Sequence, residues 1–341
     1  MAPPGGERAP SMADVAAAAG VSVSTVSRAL SGRGDLPART RSRVQAIAQQ
    51  LGYKRQASIG GRPTQDQADP RIIELVLGFF VGAWADEAIV GARAAASRLG
   101  YDLALTEERD EPSDDWPSRV AARRSSGVVL GIIRPTQKQL AALSPLETPV
   151  VLLDPSSEPL DTIRSVGTTD WQGGYDAGAH LAGCGLTRFI VVEGLPRYRF
   201  GRIREEGFRQ AVEDLARDGH IETIGGQWTG EDLSGSLARA LERLSGPVGI
   251  FASNDRLASS VYKAAAQLNL AIPENLSVVG FDDERWAATL SPPLTTVRPP
   301  IRAMASRAVQ LVHELREGRG GSPVRVELPS HLVVRQSTRH S

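Results

Sequence analysis

Cysteine is almost missing from this chain of 341 residues: Cys184 stands alone. A single thiol excludes an intramolecular disulfide and a cysteine-rich zinc site, and it fits a reducing compartment. Its Ala-Gly-Cys-Gly setting reads as a small buried filler at a helix end. Long apolar runs are absent too. None approaches the roughly 20 residues needed to span a bilayer, and the opening Ala-Pro-Pro-Gly-Gly-Glu-Arg-Ala-Pro lacks the apolar core of a secretory signal. The expectation is a cytoplasmic protein with no membrane partner. The five histidines, His180, His220, His313, His331 and His340, show no metal-ligand spacing. There is no Gly-x-Ser-x-Gly elbow and no phosphate loop ending in Lys-Ser/Thr. These gaps argue against an enzyme and give no reason to expect a metal or cofactor.

An excess of one charge sign is also missing overall, with 39 basic and 39 acidic residues, but the balance is not local. Residues 1 to 62 carry nine basic side chains against three acidic ones, and the remainder carries 30 against 36. A small basic head on an acidic body suits phosphate contact by the head alone.

What the head contains is a helix–turn–helix pattern from Met12 to Leu30. Val15, Ala16 and Ala19 form the inward face of a first helix. Gly20 supplies the turn, Val21 plugs the angle, and Ser22 is placed to cap a second helix that buries Val26, Ala29 and Leu30. That helix turns Val23, Ser24, Ser27 and Arg28 to solvent. Small side chains let a helix sink into a major groove, where arginine pairs with guanine O6 and N7. A third helix, about Ala38 to Leu51, packs Val44, Ile47, Ala48 and Leu51 on the other two. Residues 1–10 read as a disordered arm, 11–55 as the DNA-binding head, and 56–70, rich in Gly, Pro and polar residues, as a linker.

From Arg71 strands alternate with helices through residues 71–341. Strands are expected at Ile72–Phe80, Asp102–Thr106, Gly127–Ile133, Val150–Leu153, Phe189–Val192, Val248–Ala252, Ser277–Phe281 and Val324–Val334. Such alternation implies parallel sheets covered on both faces. The length suggests two similar lobes around a cleft, with ligand groups just beyond the strand ends.

Five motifs, in order and at matching separations, resemble the lactose-repressor (LacI/GalR) family of bacterial transcription regulators. They are Asp14-Val-Ala…Ala-Gly-Val-Ser…Thr-Val-Ser-Arg, Leu51-Gly-Tyr53, Ser253-Asn-Asp255, Ser277-Val-Val-Gly-Phe-Asp-Asp283 and Ser291-Pro-Pro-Leu-Thr-Thr-Val297. The resemblance implies an all-α helix-turn-helix head plus an α/β periplasmic-binding-protein-like body of two doubly wound parallel-sheet lobes. Lobe one is expected at about 71–165 and 297–325, and lobe two at about 166–296 and 326–341. It also implies a homodimer on a near-palindromic double-stranded DNA operator, with repression governed by a small-molecule effector, usually a sugar. No leucine heptads close the sequence, which favours a dimer over a tetramer.

Residue by residue, Val23 and Ser24 match the family's base-reading positions and Arg28 its guanine reader. Ser22, Thr25, Ser27 and Thr40 match phosphate-holding hydroxyls, and Ser31 a further DNA contact. Tyr53 either touches the DNA backbone or lids the head's core. After it, where the family commonly forms a minor-groove helix with a wedging leucine, stands Lys54-Arg-Gln-Ala-Ser-Ile-Gly-Gly-Arg-Pro63. Two glycines cost a helix about 1 kcal/mol each and an interior proline about 3. Two forms stay open: a short turn with Ile59, or an extended arm using Arg55 and Arg62. In the body, Asp154, Arg202, Trp228, Asn254 and Asp282 match the family's effector contacts. Trp84, after the first strand, is either cleft wall or dimer surface. Asp255 serves as ligand group or helix cap, and Asp283 is structural. Pro299 replaces a glutamine that often reaches the effector or switch in the family, and Arg197-Tyr-Arg-Phe-Gly-Arg202 is unusually basic for a cleft rim. A sugar is the expected effector; the alternative is a corepressor-type regulator taking a purine, since the tryptophans stack on a base as well as on a sugar ring.

Overall fold

The change in hydrophobic period after the linker marks the main division of the chain. A computed structural model describes residues 11–31, 37–51, 70–80, 82–108, 115–158, 162–243, 245–319 and 325–339. It divides into two units, Met1–Ala68 and Asp69–Ser341. The expected N-terminal arm and most of the linker lie outside the described residues, as do Tyr53, Arg55, Ile59 and Arg62.

Three helices make the first unit: α1 Met12–Ala19, α2 Val23–Ser31 and α3 Ala38–Gln50. Ser11 and Asp14 close a reciprocal capping box on α1, which satisfies two of its free N–H groups. Gly20 ends α1 with φ at 61°, a left-handed conformation that any Cβ would strain. Val15, Ala16, Ala19, Val26, Ala29, Val44 and Ala48 form the buried core, with Val21, Leu30 and Ile47 half-buried against it. Leu51, expected in that core, lies just past α3 and is 40 % exposed.

The second unit holds two six-stranded sheets. In the first lobe run β1 Ile72–Leu77, α4 Ala83–Arg98, β2 Asp102–Glu107, α5 Trp116–Arg123, β3 Gly127–Gly131, α6 Gln137–Leu143, β4 Val150–Leu153 and β5 Arg164–Thr168. The chain then crosses to the second lobe for α7 Asp170–Gly183, β6 Arg188–Glu193, α8 Arg199–Leu215, β7 His220–Gly225, α9 Ser234–Glu242, β8 Val248–Ala252, α10 Asp255–Gln267, β9 Leu276–Phe281 and β10 Thr295–Arg298. It returns for α11 Ile301–Arg316 and β11 Arg325–Leu328, and crosses a last time to β12 His331–Val333. The sheet orders are β2-β1-β3-β4-β5-β11 and β7-β6-β8-β9-β10-β12, one plan used twice. Every pair is parallel except β10–β12.

Three differences from the sequence reading have local causes. Strands β5, β7 and β10 carry Arg, Thr, His or Glu among their apolar residues and show no clean apolar run. The expected strand Val324–Val334 is two strands in two sheets, because Pro329 interrupts it between β11 and β12. Accordingly the crossings fall near residues 169, 299 and 329, a few residues beyond the expected boundaries. Helix α8 opens at Arg199, inside the basic Arg197–Arg202 segment.

Small residues set the helix packing in both lobes. A Cβ on Gly174 of α7 would overlap the carbonyl oxygen of Arg204, and one on Gly207 of α8 that of Trp171. In the first lobe a Cβ on Gly91 of α4 would overlap the carbonyl oxygen of Arg302 on α11. These contacts bring backbone against backbone and fix which charged side chains meet.

Candidate functional site

On the head, Ser22, Val23, Ser24 and Ser27, four of the residues expected to face DNA, are exposed at the start of and along α2. Ser22 accepts from the Thr25 amide at 3.2 Å and meets the Ser24 and Thr25 hydroxyls at 2.8 Å each, so it caps α2. Val23 is 47 % exposed, although α2 buries its opposite side, and Ser24 and Ser27 are exposed beside it. Thr40 lies half-buried in the first turn of α3. Arg28 and Ser31 fall on α2, but their side chains are outside what is described.

In the body, a cavity of ≈ 380 Å³ opens between the carboxyl ends of the two sheets. Of the six expected effector residues it brings together five: Trp84, Asp154, Trp228, Asn254 and Asp282. Trp84 is therefore cleft wall. The sixth, Arg202, is displaced by Arg204. Both lie in α8, two residues apart, so Arg202 is about 200° around the helix from Arg204. It is half-exposed, donating to the Pro196 carbonyl at 2.9 Å and standing 3.9 Å from Glu158. Arg204 shares the inward face with Phe208 and Ala211 and is 4 % exposed.

Arg204 is the hub of the polar groups. Its Nε donates to Asp170 at 2.8 Å, and its Nη1 to the Ser253 carbonyl at 2.9 Å and to Asp282 at 3.5 Å. The guanidinium also lies 3.6 Å from the centre of the Phe281 ring. Burial opposes its charge, but Asp170, Asp282 and Asp154 outweigh burial and hold its pKa above the ordinary value. The carboxylates feel the reverse. Burial, reinforced by Asp170, pushes Asp154 up to about 6, although Arg204 pulls it down and Trp84 Nε1 donates to it at 3.0 Å. Burial pushes Asp282 up to about 7 against the pull of Arg204. Asp170 is raised as well, chiefly by burial.

Asn254 is the cap of α10: its Oδ1 accepts from the Leu257 amide at 2.8 Å, while its Nδ2 donates to the Trp228 carbonyl at 3.2 Å. Asp255, weighed as ligand or cap, is neither. It is fully buried, accepting from Thr296 at 2.6 Å and from the Glu284 amide at 2.7 Å. Burial holds its pKa well above the ordinary value even against those bonds. Asp283 ties Arg298 and Arg335 together, the structural part expected of it.

Aromatic side chains complete the lining. Trp228 lies against Gly194 and Gly201, where a Cβ would strike its ring. Its ring centre stands 5.1 Å from Phe200 and 6.0 Å from Tyr198, and its buried Nε1 has no partner. Phe79 stands 6.3 Å from Trp84 across the mouth. Tyr198 and Phe200 were not expected. They come from the Arg197-Tyr-Arg-Phe-Gly-Arg202 segment, whose rings rather than its arginines reach the cavity. Arg199 turns to Glu158 at 3.0 Å, and Arg197 lies over the Tyr198 ring. Aromatic residues in a turn before a helix were the available signal. Among the described residues no group of three or more His, Cys, Asp or Glu could hold a metal ion, and no helix is long and apolar enough to cross a membrane.

Comparison with known proteins agrees with this arrangement. The family described as bacterial regulatory proteins, lacI family, matches residues 11–56, and the periplasmic binding protein-like domain matches residues 179–338. HTH-type transcriptional regulator MalR of Streptomyces coelicolor is 31% identical over 358 residues, covering 96% of both chains. HTH-type transcriptional regulator DegA of Bacillus subtilis is 28% identical over 337 residues, 95% of this chain and 97% of its own. The solved complex of the transcriptional regulator CelR with cellobiose superposes with a TM-score of 0.70 at 25% identity, over 96% of this chain and 99% of that one. A helix-turn-helix head in one chain with a periplasmic-binding-protein-like body defines a DNA-binding transcriptional regulator. The chain belongs to the LacI family, whose members regulate transcription and are not enzymes.

Proposed function

We propose that this regulator is a repressor whose operator affinity is set by a sugar bound between the two lobes. The observation that carries the reading is the composition of the cavity. Arg204, Asp154, Asp282 and Asn254 line it together with Trp84, Tyr198, Phe200 and Trp228, polar and aromatic groups side by side: Trp84 donates to Asp154 and Arg204 lies 5.3 Å from the Phe200 ring centre. A guanidinium and carboxylates grip adjacent hydroxyls in pairs, while flat rings cover the apolar face of a sugar. The CelR neighbour, solved with cellobiose, supports the same ligand class.

The chain acts as a homodimer that sets two α2 helices in successive major grooves, about 34 Å apart on a near-palindromic operator. Val23, Ser24 and Arg28 read base edges; Ser22, Thr25, Ser27, Ser31 and Thr40 hold phosphates. Effector binding closes the lobes and changes the spacing of the heads. A preference of a few kcal/mol suffices, since each 1.4 kcal/mol is about tenfold in occupancy.

Thermal denaturation of the full-length protein against sugars and nucleobases tests the ligand class. A sugar at about 100 times its Kd stabilises by about 2.7 kcal/mol. A nucleobase as the only stabiliser replaces the sugar reading by the corepressor one, and no stabiliser in either class refutes both. Operator affinity should also fall by roughly four decades between 50 and 200 mM salt if a dimer neutralises about eight phosphates.

A further inference from the structure

The cleft between the lobes is short of positive charge. Arg204 is set against three carboxyl groups: Asp170 at 2.8 Å, Asp282 at 3.5 Å, and Asp154 of the other lobe, which stands beyond ion-pair distance. The neighbouring guanidiniums are already taken, Arg256 by Glu284 at 3.1 Å and Arg199 by Glu158 at 3.0 Å. Among the described residues no cation pairs with Asp154, although it is only 6 % exposed and lines the cavity. One of its oxygens accepts from Trp84 Nε1 at 3.0 Å. Asp282 is little better served, because Arg204 makes its shorter bonds to Asp170 and to the Ser253 carbonyl. A buried carboxylate without a cation is costly. Burial is the first cause of the raised pKa of Asp154 and the charge of Asp170 the second, and a bound cation would oppose both.

The rest of the lining suits a cation as well. Phe79, Trp84, Tyr198, Phe200 and Trp228 border the same space. Aromatic rings attract a cation within about 6 Å of their centres, tryptophan most strongly. Arg204 uses Phe281 and Phe200 in this way, at 3.6 and 5.3 Å, whereas among the described residues no cation lies over Trp84 or Trp228.

We propose that the effector is an amino sugar, whose protonated amine sits between Asp154 of the first lobe and Asp282 of the second. This rests on the sugar reading above and narrows it. An ammonium group brings three donors and a full positive charge, whereas a hydroxyl in its place brings one donor and no charge. Held by a carboxylate from each lobe, the amine draws the lobes together, so its charge favours the closed arrangement. The same shortage of cations rejects sugar phosphates and sugar acids, whose charge would add to that of the carboxylates.

Calorimetric titration of the full-length protein at neutral pH tests the inference. The probes are glucosamine, galactosamine, mannosamine and the β-1,4-linked disaccharide of glucosamine, each beside its hydroxyl and N-acetyl counterparts. At least one amino sugar should bind with a Kd of about 1 mM or below, about tenfold or more tighter than both counterparts. Asp154→Asn should reduce that advantage to about parity. The wild-type comparison decides the matter whether or not the variant folds. A counterpart that binds as tightly as its amine overturns the amino-sugar assignment and leaves the sugar reading standing. An advantage undiminished in folded Asp154→Asn overturns the seat between the carboxylates. Binding by none of the four amino sugars overturns the inference; the sugar reading survives this result if a neutral sugar binds and falls with it if none does.

Discussion

The two lobes share one strand order but divide the cleft unequally. The second lobe brings the fixed polar grip: Arg204, Asp282 and Asn254, all bonded within that lobe, with Asp170 bracing Arg204 from below. The first lobe brings Phe79, Trp84 and Ile132 and one carboxylate, Asp154, whose side chain accepts from its own lobe's Trp84. Under the proposed function, one lobe is preorganised for recognition and the other is the cover that closes on the ligand. In such a division binding and closure are separable, which a switch requires.

The largest effect should come from breaking the grip. Arg204→Met leaves Asp170 and Asp282 buried without their cation, so urea denaturation should show a loss of about 3–5 kcal/mol. Arg202→Met, two residues away on the exposed face, should stay within about 0.5 kcal/mol. Equal losses would erase the distinction between the two arginines. Next come the helix contacts. Gly174→Ala and Gly207→Ala in the second lobe, and Gly91→Ala in the first, should each cost about 1–3 kcal/mol through backbone overlap. Only the second-lobe pair should also weaken effector binding, because only they set Arg204.

For the effector itself, Trp228→Ala should lower affinity by about 10–100-fold and Trp84→Ala by about tenfold, measured by calorimetry. A reversed order would move recognition to the first lobe. The smallest effect concerns pH. Asp282 has its pKa raised to about 7 in the folded chain, so the folded state binds more protons than the unfolded state above pH 4. Stability from this group is therefore complete at low pH and is lost as pH rises toward 7. Asp282→Asn should raise Tm by about 2–4 °C at pH 8 and change it little at pH 4. A lower Tm at pH 8 would contradict the burial cost assigned to Asp282.

Much of this was legible in the residues, for reasons that differ from place to place. The head follows from short-range signals: Gly20 at the turn, Ser22 as cap and a buried stripe of small apolar residues. Asp154, Asn254 and Asp282 line the cavity because each lies one or two residues past a buried strand, and strand ends in such sheets face the cleft. Arg202 was the miss. Three arginines crowd residues 199–204, and the buried face of α8 decides which turns inward. The spacing of Arg204 to Phe208 and Ala211, four and seven residues on, carried that information. The ion pairs of Asp283 and Glu87 join residues 15 to 215 positions apart, and nothing local announces them.

Operator binding by the full-length protein, with and without metabolites, tests the central claim most directly. Fluorescence anisotropy should show its own promoter region preferred over random duplex by about a thousandfold. One sugar should change that affinity by about tenfold or more, and Trp228→Ala should lose the response. Binding that ignores DNA sequence, or a promoter affinity that no metabolite alters, would contradict the account.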